Sequence, residues 1–330
     1  MTGPRECDAP VPVPQRRLWW FLGWCVLAAF LAVAAYALPW GEVLAALAGA
    51  RWHWVAIAIV VGIAGWPFWV LQWWLLAPAQ HRPTLGRMAQ ITALTGTANM
   101  SLPMAGVVAA VGFLMMRGGL PATAAASVYA VDQLLTGIAK VAVLALAAAL
   151  VPVPDWLRTG LLSLSGAMIL LTVLLIAAAH GGNSLRRIAV KLGERPARLI
   201  GIFASFVDQL EPLRRPGLAL AVTLLALAKK AAEVGVALAI QVAVGMEPSV
   251  AGAVLAVAAL SLATLAPISP GNLGIYEATV IFAYQFLGVP LPLAAAAAFL
   301  QHAASFVTSI LIALYPAWAL RQGDSDARPA

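Results

Sequence analysis

Apolar stretches as long as a bilayer-spanning helix recur along this chain, and they leave few folds open to it. A helix needs about 20 mostly apolar residues to cross the hydrocarbon core. Such stretches run from Leu18 to Pro39, Trp54 to Pro78, Pro121 to Val151, Gly160 to Ala179, Gly217 to Gly245 and Pro292 to Pro316. Two further apolar regions are interrupted. Thr84 to Met116 is broken by Asn99, Pro103 and Gly106, and Ser249 to Leu287 by Pro267, Pro270, Gly271 and Gly274. Each break leaves pieces too short to span easily. Irregular backbone at membrane depth persists only when buried in protein or lining a wet cavity. The pattern predicts an all-α polytopic membrane protein with six to eight spans and two broken or re-entrant helical hairpins. If the second interrupted region crosses twice instead of re-entering, the C-terminus stays on the same side.

Composition narrows the function. Hydrophobic residues make up 62% of the chain and charged residues 10%. Soluble domains sit near 45–50% and about 25%. A soluble enzyme, a nucleic-acid-binding module and a disordered tail are excluded. The net charge of +7 is informative by location. With the N-terminus inside, 15 of the 20 basic residues fall on the inner side and only Arg51 and Arg158 outside. The positive-inside rule then predicts that both termini are cytoplasmic. The expected organisation is a cytoplasmic tail over 1–17, a membrane domain over 18–320 and a cytoplasmic tail over 321–330. The membrane domain includes a basic cytoplasmic loop over 180–216, which reads as a helix lying on anionic headgroups. The first apolar segment is too long for a signal sequence and reads as an anchor. Cys7 and Cys25 are expected to be free.

The two interrupted regions resemble each other. Leu102-Pro103-Met104-Ala105-Gly106 is followed by Gly119-Leu120-Pro121, Ala124-Ala125-Ala126 and Asp132-Gln133. Ser269-Pro270-Gly271-Asn272 is followed by Gly288-Val289-Pro290, Ala294-Ala295-Ala296 and Gln301-His302. The first break opens to the inside and the second to the outside. That is an inverted repeat, a design in which paired broken helices mark a transporter's binding site.

Charges within the spans point to the same region. Each costs about 2.5–3.5 kcal/mol at the bilayer centre on insertion scales, so it faces the bundle or water. Lys229, Lys230 and Glu233 lie mid-span. Glu233 is three or four residues from each lysine and reaches either. It cannot neutralise both, so one of these lysines is expected to be the spare cation, unless Asp132 or Glu277 reaches across. Asp132 and Lys140 share one helix face, Glu277 follows the second break, and His302 sits in the last span. Such a set can be ion pairs that fix packing, or a polar groove for an ion, proton or headgroup. Intramembrane charges favour the groove.

Catalytic motifs are missing. No His-Glu-x-x-His, P-loop, metal-spaced cysteine pair or dinucleotide fingerprint occurs. Asp324-Ser325-Asp326 lies in a polar tail, where a solvated end is the plain reading. No metal, cofactor or enzymatic activity is expected.

Leu265-Ala266-Pro267-Ile268-Ser269-Pro270-Gly271-Asn272-Leu273-Gly274-Ile275-Tyr276-Glu277-Ala278 resembles the signature of the lysylphosphatidylglycerol-synthase transmembrane family, P-I-S-P-G-G-L-G-x-x-E-A. This is the flippase-like domain of MprF-type proteins and of many stand-alone membrane proteins. Asn99-Met100-Ser101-Leu102-Pro103-Met104-Ala105-Gly106 is similar to the family's first motif, N-x-x-L-P-x-x-x-G. Asp132-Gln133 is similar to a later D-R pair. Departures occur at Val107 and Ala110, where the family usually has an acid and an Arg. They occur also at Asn272 for Gly, Tyr276 for a frequent Arg and Gln133 for Arg.

The resemblance implies a lipid-translocating domain of the bacterial inner membrane, without the aminoacyl-transferase domain of MprF. The expected activity is binding and translocation of an anionic lipid or lipid-linked headgroup. Two alternatives stand beside it. One is a non-transporting accessory protein in lipid, hopanoid or lipid-linked glycan biosynthesis, and the other an integral-membrane transferase. The candidate substrate-binding residues are Asn99, Pro103, Gly106, Asp132, Lys140, Lys229, Lys230, Glu233, Ser269, Pro270, Gly271, Asn272, Gly274, Glu277 and His302. The expected partner is an anionic membrane lipid and not nucleic acid. A second copy of the chain or a lipid-biosynthesis enzyme is compatible with this reading.

Overall fold

The computed structural model describes residues 32–101, 105–151, 215–264 and 269–326, with a few isolated positions before 31 and between 159 and 170. Most of the segment 160–179, the loop 180–216 up to 214, Pro103, Pro267 and both cysteines lie outside the described residues. Among the described residues, the regular structure is helical. It comprises α1 (Trp40–Ala48), α2 (Trp52–Leu76), α3 (Leu85–Ser101), α4 (Ala105–Met116) and α5 (Ala122–Leu150). It continues with α6 (Pro216–Ala243), α7 (Val250–Ala263), α8 (Ile275–Phe286) and α9 (Leu291–Asp326). Trp52–Leu76, Ala122–Leu150 and Leu291–Ala317 are long and apolar enough to cross a membrane. The helix α6 matches them in length, at 28 residues, but carries Lys229, Lys230 and Glu233 midway. By contrast α3, α4, α7 and α8 extend only about 18–25 Å at 1.5 Å per residue.

These lengths fall into two sets of long, short, short and long helices: α2 to α5, then α6 to α9. The packing repeats with them. Within each set the two short helices pack on each other and the second packs on the following long helix. Across the sets α3 packs on α9 as α7 does on α5, and α2 on α9 as α6 does on α5. The joints match as well. Gly119 (φ +69°) and Gly288 (φ +80°) adopt the left-handed turn that glycine tolerates. Two residues later Pro121 and Pro290 open the long helices, their carbonyls accepting from Ala125 N–H (2.9 Å) and Ala294 N–H (3.0 Å).

The long helices α2 and α6 run antiparallel. Arg51 N–H donates to Ala243 O at 2.8 Å. Further along, a Cβ on Gly235 would lie 3.1 Å from Val61, and one on Gly65 would lie 3.1 Å from Ala232. Small residues let these backbones approach closely. The first helix of each set thus runs opposite to its counterpart in the other. Each short pair folds back on itself. Arg117 Nη1 donates to Gln90 Oε1 (3.4 Å) at the base of α3–α4, and Gly106 abuts Asn99 at its tip. Gly252 abuts Leu287 at the base of α7–α8. The tips meet, because a Cβ on Gly271 would sit 3.1 Å from Met100 O.

Charge separates the ends of the bundle. Arg82, Arg87, Arg117 and Arg215 follow or precede helix ends on the side of the C-terminus of α2. Arg51, Glu42 and Glu247 lie on the other. Arg82 also caps α2, its guanidinium donating to Ala77 O (3.2 Å) and Leu75 O (3.3 Å) and stacking 4.5 Å over the Trp74 ring.

Beyond the last apolar stretch, which ends at Pro316, the last helix continues to Asp326, so residues 321–326 are helical. An interior proline removes one backbone donor, and the residues around it keep the other helical bonds; Pro67 is carried inside α2 in the same way. The short helix α1, to which the apolar pattern assigns no element, packs on α9 with Trp40 stacked on Phe299 at 5.8 Å.

Candidate functional site

A cavity of about 750 Å³ lies between the two halves. Helical spacing builds its wall. On α3, Thr92, Thr95 and Asn99 recur at intervals of three and four and so share a face. On α5, Asp132, Thr136 and Lys140 recur every four residues, as do Gln301, Ser305 and Ser309 on α9. Mid-helix on α6, Lys229, Lys230 and Glu233 face the same space.

The charged groups pair in a definite way. Lys229 Nζ donates to Asp132 Oδ1 at 3.0 Å, joining α6 to α5 across 97 residues of chain. Lys230 Nζ donates to Glu233 Oε2 at 2.6 Å within one helix turn. Both lysines of α6 are thus matched. The expectation that one of them is the spare cation is corrected: Asp132, 3% exposed, reaches across and takes Lys229. Among the described residues that line the cavity, the cation without an ion-pair partner is Lys140, half-buried in the wall.

The turn between α7 and α8 forms a second polar cluster. Gly271 (φ +58°), Asn272 (φ +57°) and Gly274 (φ +88°) all adopt left-handed backbone. Asparagine is among the few side chains that tolerate this region, which explains how Asn272 stands where the family pattern has Gly. Ser269 Oγ donates to Leu273 O at 2.8 Å. Glu277 Oε2 accepts from Gly274 N–H at 2.7 Å, capping the start of α8. Its Oε1 meets His302 Nδ1 at 2.7 Å, and His302 Nε2 faces Gly271 O at 3.1 Å. Tyr276 stacks on the His302 ring at 4.1 Å.

The candidate residues thus divide. Asn99, Gly106, Asp132, Lys140, Lys229, Lys230 and Glu233 line the cavity, with Ser269, Asn272 and His302. Pro270, Gly271, Gly274 and Glu277 form the turn that holds His302 in place. Pro103 lies outside the described residues.

Sequence reasoning missed several lining groups. Trp66, Trp69 and Trp73 of α2 contribute aromatic wall, and Gln301 and Ser261 contribute buried polar atoms. The signal was present. Polar side chains spaced three and four apart inside apolar helices mark one face, as Thr92, Thr95 and Asn99 do. The Trp69 and Trp73 indole nitrogens, Ser261 Oγ, Asn272 Oδ1 and Gln301 Oε1 are buried without a hydrogen-bond partner among the described residues.

Comparison with curated proteins and with solved structures finds no match. Comparison with protein families finds one: residues 20–313 match the family described as lysylphosphatidylglycerol synthase TM region. The match spans both halves and both interrupted regions, and by it this multi-pass membrane chain belongs to the lysylphosphatidylglycerol synthase TM region family.

Proposed function

We propose that the chain binds the headgroup of an anionic lipid in the central cavity and carries it across the membrane, the acyl tails remaining in the bilayer. The observation that carries this reading is Lys140. It is a cation without an ion-pair partner among the described residues, facing a polar cavity inside an apolar bundle. A phosphate supplies the missing counter-charge. The pseudo-symmetric halves supply the means: two short helical hairpins whose bases lie at opposite ends and whose tips meet at the cavity. In this reading each hairpin re-enters from one side, and alternating access exchanges the hairpin that opens. The arginine-rich end of the bundle is cytoplasmic by the positive-inside rule, which puts the C-terminus inside, in a bacterial inner membrane.

The chain is no enzyme in this reading. Among the described residues Asp132, Glu233 and Glu277 are each engaged by a basic partner, which leaves none of the three free as a general base. The test is headgroup translocation in vesicles reconstituted with the full chain, read by chemical bleaching of a labelled anionic lipid. The wild type is expected to move the lipid and Lys140→Met to lose that activity with its fold retained. A wild type that binds the lipid without moving it returns the accessory, non-transporting reading.

A further inference from the structure

We infer that His302 and Glu277 form a binding site for one proton, and that this proton fastens the tip of the α7–α8 hairpin to α9; its bearing on lipid movement rests on the function proposed above. The hydrogens can be counted from the contacts. His302 Nε2 faces Gly271 O at 3.1 Å. A carbonyl oxygen only accepts, so Nε2 holds a hydrogen. His302 Nδ1 lies 2.7 Å from Glu277 Oε1, so a second hydrogen lies between them. Glu277 Oε2 is occupied elsewhere, accepting from Gly274 N–H at 2.7 Å. A neutral imidazole and a carboxylate bring one hydrogen between them. The two contacts need two, and the difference is one bound proton.

The surroundings make that proton consequential. The side chains of His302 and Glu277 are 4% and 7% exposed. Tyr276 stacks on the imidazole at 4.1 Å, and Phe306 lies 4.7 Å from it. With the proton the pair is neutral overall, whether the hydrogen sits on Nδ1 or on Oε1. Without it one net negative charge is buried, which is costly. One contact also fails, because the remaining hydrogen serves Gly271 O or Glu277 Oε1 but not both. Both contacts tie α9 to the start of α8 and the turn before it, so losing the proton loosens the tip. His302 stands in the cavity wall, so cavity water delivers the proton and takes it back.

Other titratable groups are accounted for. Of the elements packed on α8 and α9, α7 has no ionisable side chain, and Glu42 of α1, His53 of α2 and Arg87 of α3 are exposed. From α6, Lys229, Lys230 and Glu233 face the same cavity, each already in an ion pair. Asp132, paired with Lys229, and Lys140 face it from α5. On α8 and α9 themselves, Tyr276 is the stacking partner, Tyr284 bonds Gln241, and Tyr315 lies several turns further along.

Glu277→Gln separates the contacts from the proton. Its amide N–H donates to His302 Nδ1, its amide oxygen accepts from Gly274 N–H, and Nε2–H keeps Gly271 O. The experiment places the full chain, labelled with 15N-histidine, in phosphatidylcholine nanodiscs and follows the ring nitrogens by NMR from acid to alkaline pH. The His302 signals are assigned by their loss in His302→Gln. In the wild type the Nδ1 signal is expected to move to that of a free lone pair as pH rises. In Glu277→Gln it should stay that of a hydrogen-bond acceptor throughout. A wild-type signal that does not move, or one that moves alike in Glu277→Gln, overturns the inference. A second measurement follows acyl-labelled phosphatidylglycerol in phosphatidylcholine vesicles with equal pH on both sides, relative to protein-free vesicles. Where most sites are filled, loss of one proton should raise the wild-type rate by up to about tenfold per pH unit. Glu277→Gln should be slow and insensitive to pH. A wild-type rate independent of pH, or a variant as steep as the wild type, overturns the link to the tip. Failure of the underlying function looks different: the wild type then moves no lipid at any pH while the Nδ1 titration persists.

Discussion

The bridge between Asp132 and Lys229 is expected to be the most consequential charged contact in the molecule. Asp132→Asn removes the carboxylate and leaves Lys229 facing Lys230 and Lys140 within one cavity. Breaking a buried ion pair from one side costs about 3–5 kcal/mol, because the remaining charge is left uncompensated. Asp132 is 5% exposed at its side chain and Lys229 is 18% exposed. The lysine thus keeps some contact with the cavity, which moves the expectation to about 2–3 kcal/mol. Glu233 offers the contrast. Its distance to Lys230 is shorter, at 2.6 Å, but its side chain is 51% exposed. Lys230 itself is 11% exposed, but a carboxylate this open lets water replace it, so the pair is worth about 1 kcal/mol. Distance alone ranks the two bridges one way, and burial ranks them the other.

The assay is unfolding of the full chain in mixed micelles by titration with a denaturing detergent, followed by loss of helical circular dichroism. Asp132→Asn should shift the midpoint strongly and Glu233→Gln weakly. The double variant Asp132→Asn/Lys229→Met should regain stability by about 2 kcal/mol over Asp132→Asn, since it deletes the stranded charge. A Glu233→Gln that costs as much as Asp132→Asn would refute the burial argument. A double variant no more stable than Asp132→Asn would refute the pairing itself.

Four further outcomes are expected. Gly274→Ala should destabilise by about 2–4 kcal/mol in the same titration, combining left-handed strain with overpacking, because its Cβ would fall 2.7 Å from the Phe30 ring. Asn272→Gly should be tolerated where Asn272→Ala loses about 1 kcal/mol, since φ there is +57°. In a chain lacking its two native cysteines, Asn99→Cys and Ser269→Cys should react with a small polar thiol reagent while the buried Ala297→Cys is protected; uniform protection would mark the cavity as dry. A reporter fused at the C-terminus should give cytoplasmic signal, and a periplasmic signal would invert the orientation proposed for the bundle.

Much of this architecture was legible because prolines and glycines punctuate apolar sequence. Pro121 to Val151 became a helix from Ala122 to Leu150, and the breaks near Asn99–Gly106 and Pro270–Gly274 became the tips of two short hairpins. The matching joints were legible for the same reason, since only a few residue types make a left-handed turn such as Gly119 or Gly288. The ion-pair assignment was not. Spacing along a helix reports partners three or four residues away, and so offers Glu233 to both lysines. It carries no information about Asp132, which approaches Lys229 only when α5 packs on α6.

The halves are alike in backbone and unlike in charge, and this difference bears on how such a molecule moves. Positions on α5 and α9 that correspond in the repeat hold Asp132-Gln133 in one half and Gln301-His302 in the other. The middle of α6 carries Lys229, Lys230 and Glu233, whereas the middle of α2 carries Gly62, Gly65 and Trp66. The α2–α6 seam is held by close small-residue contacts along its length and by the Arg51–Ala243 hydrogen bond at one end. Close packing of that kind is stiff. The hairpin tips, in contrast, meet through the Gly271–Met100 approach and are tied to α9 by His302. In the alternating-access reading proposed above, α2 and α6 are the fixed axis and the hairpin tips the elements that move. The Asp132–Lys229 bridge lies between these regimes, fixed to α6 at one end and to the hairpin-bearing α5 at the other. It joins the two halves, and in the reading proposed above it leaves Lys140 as the cation that meets the headgroup.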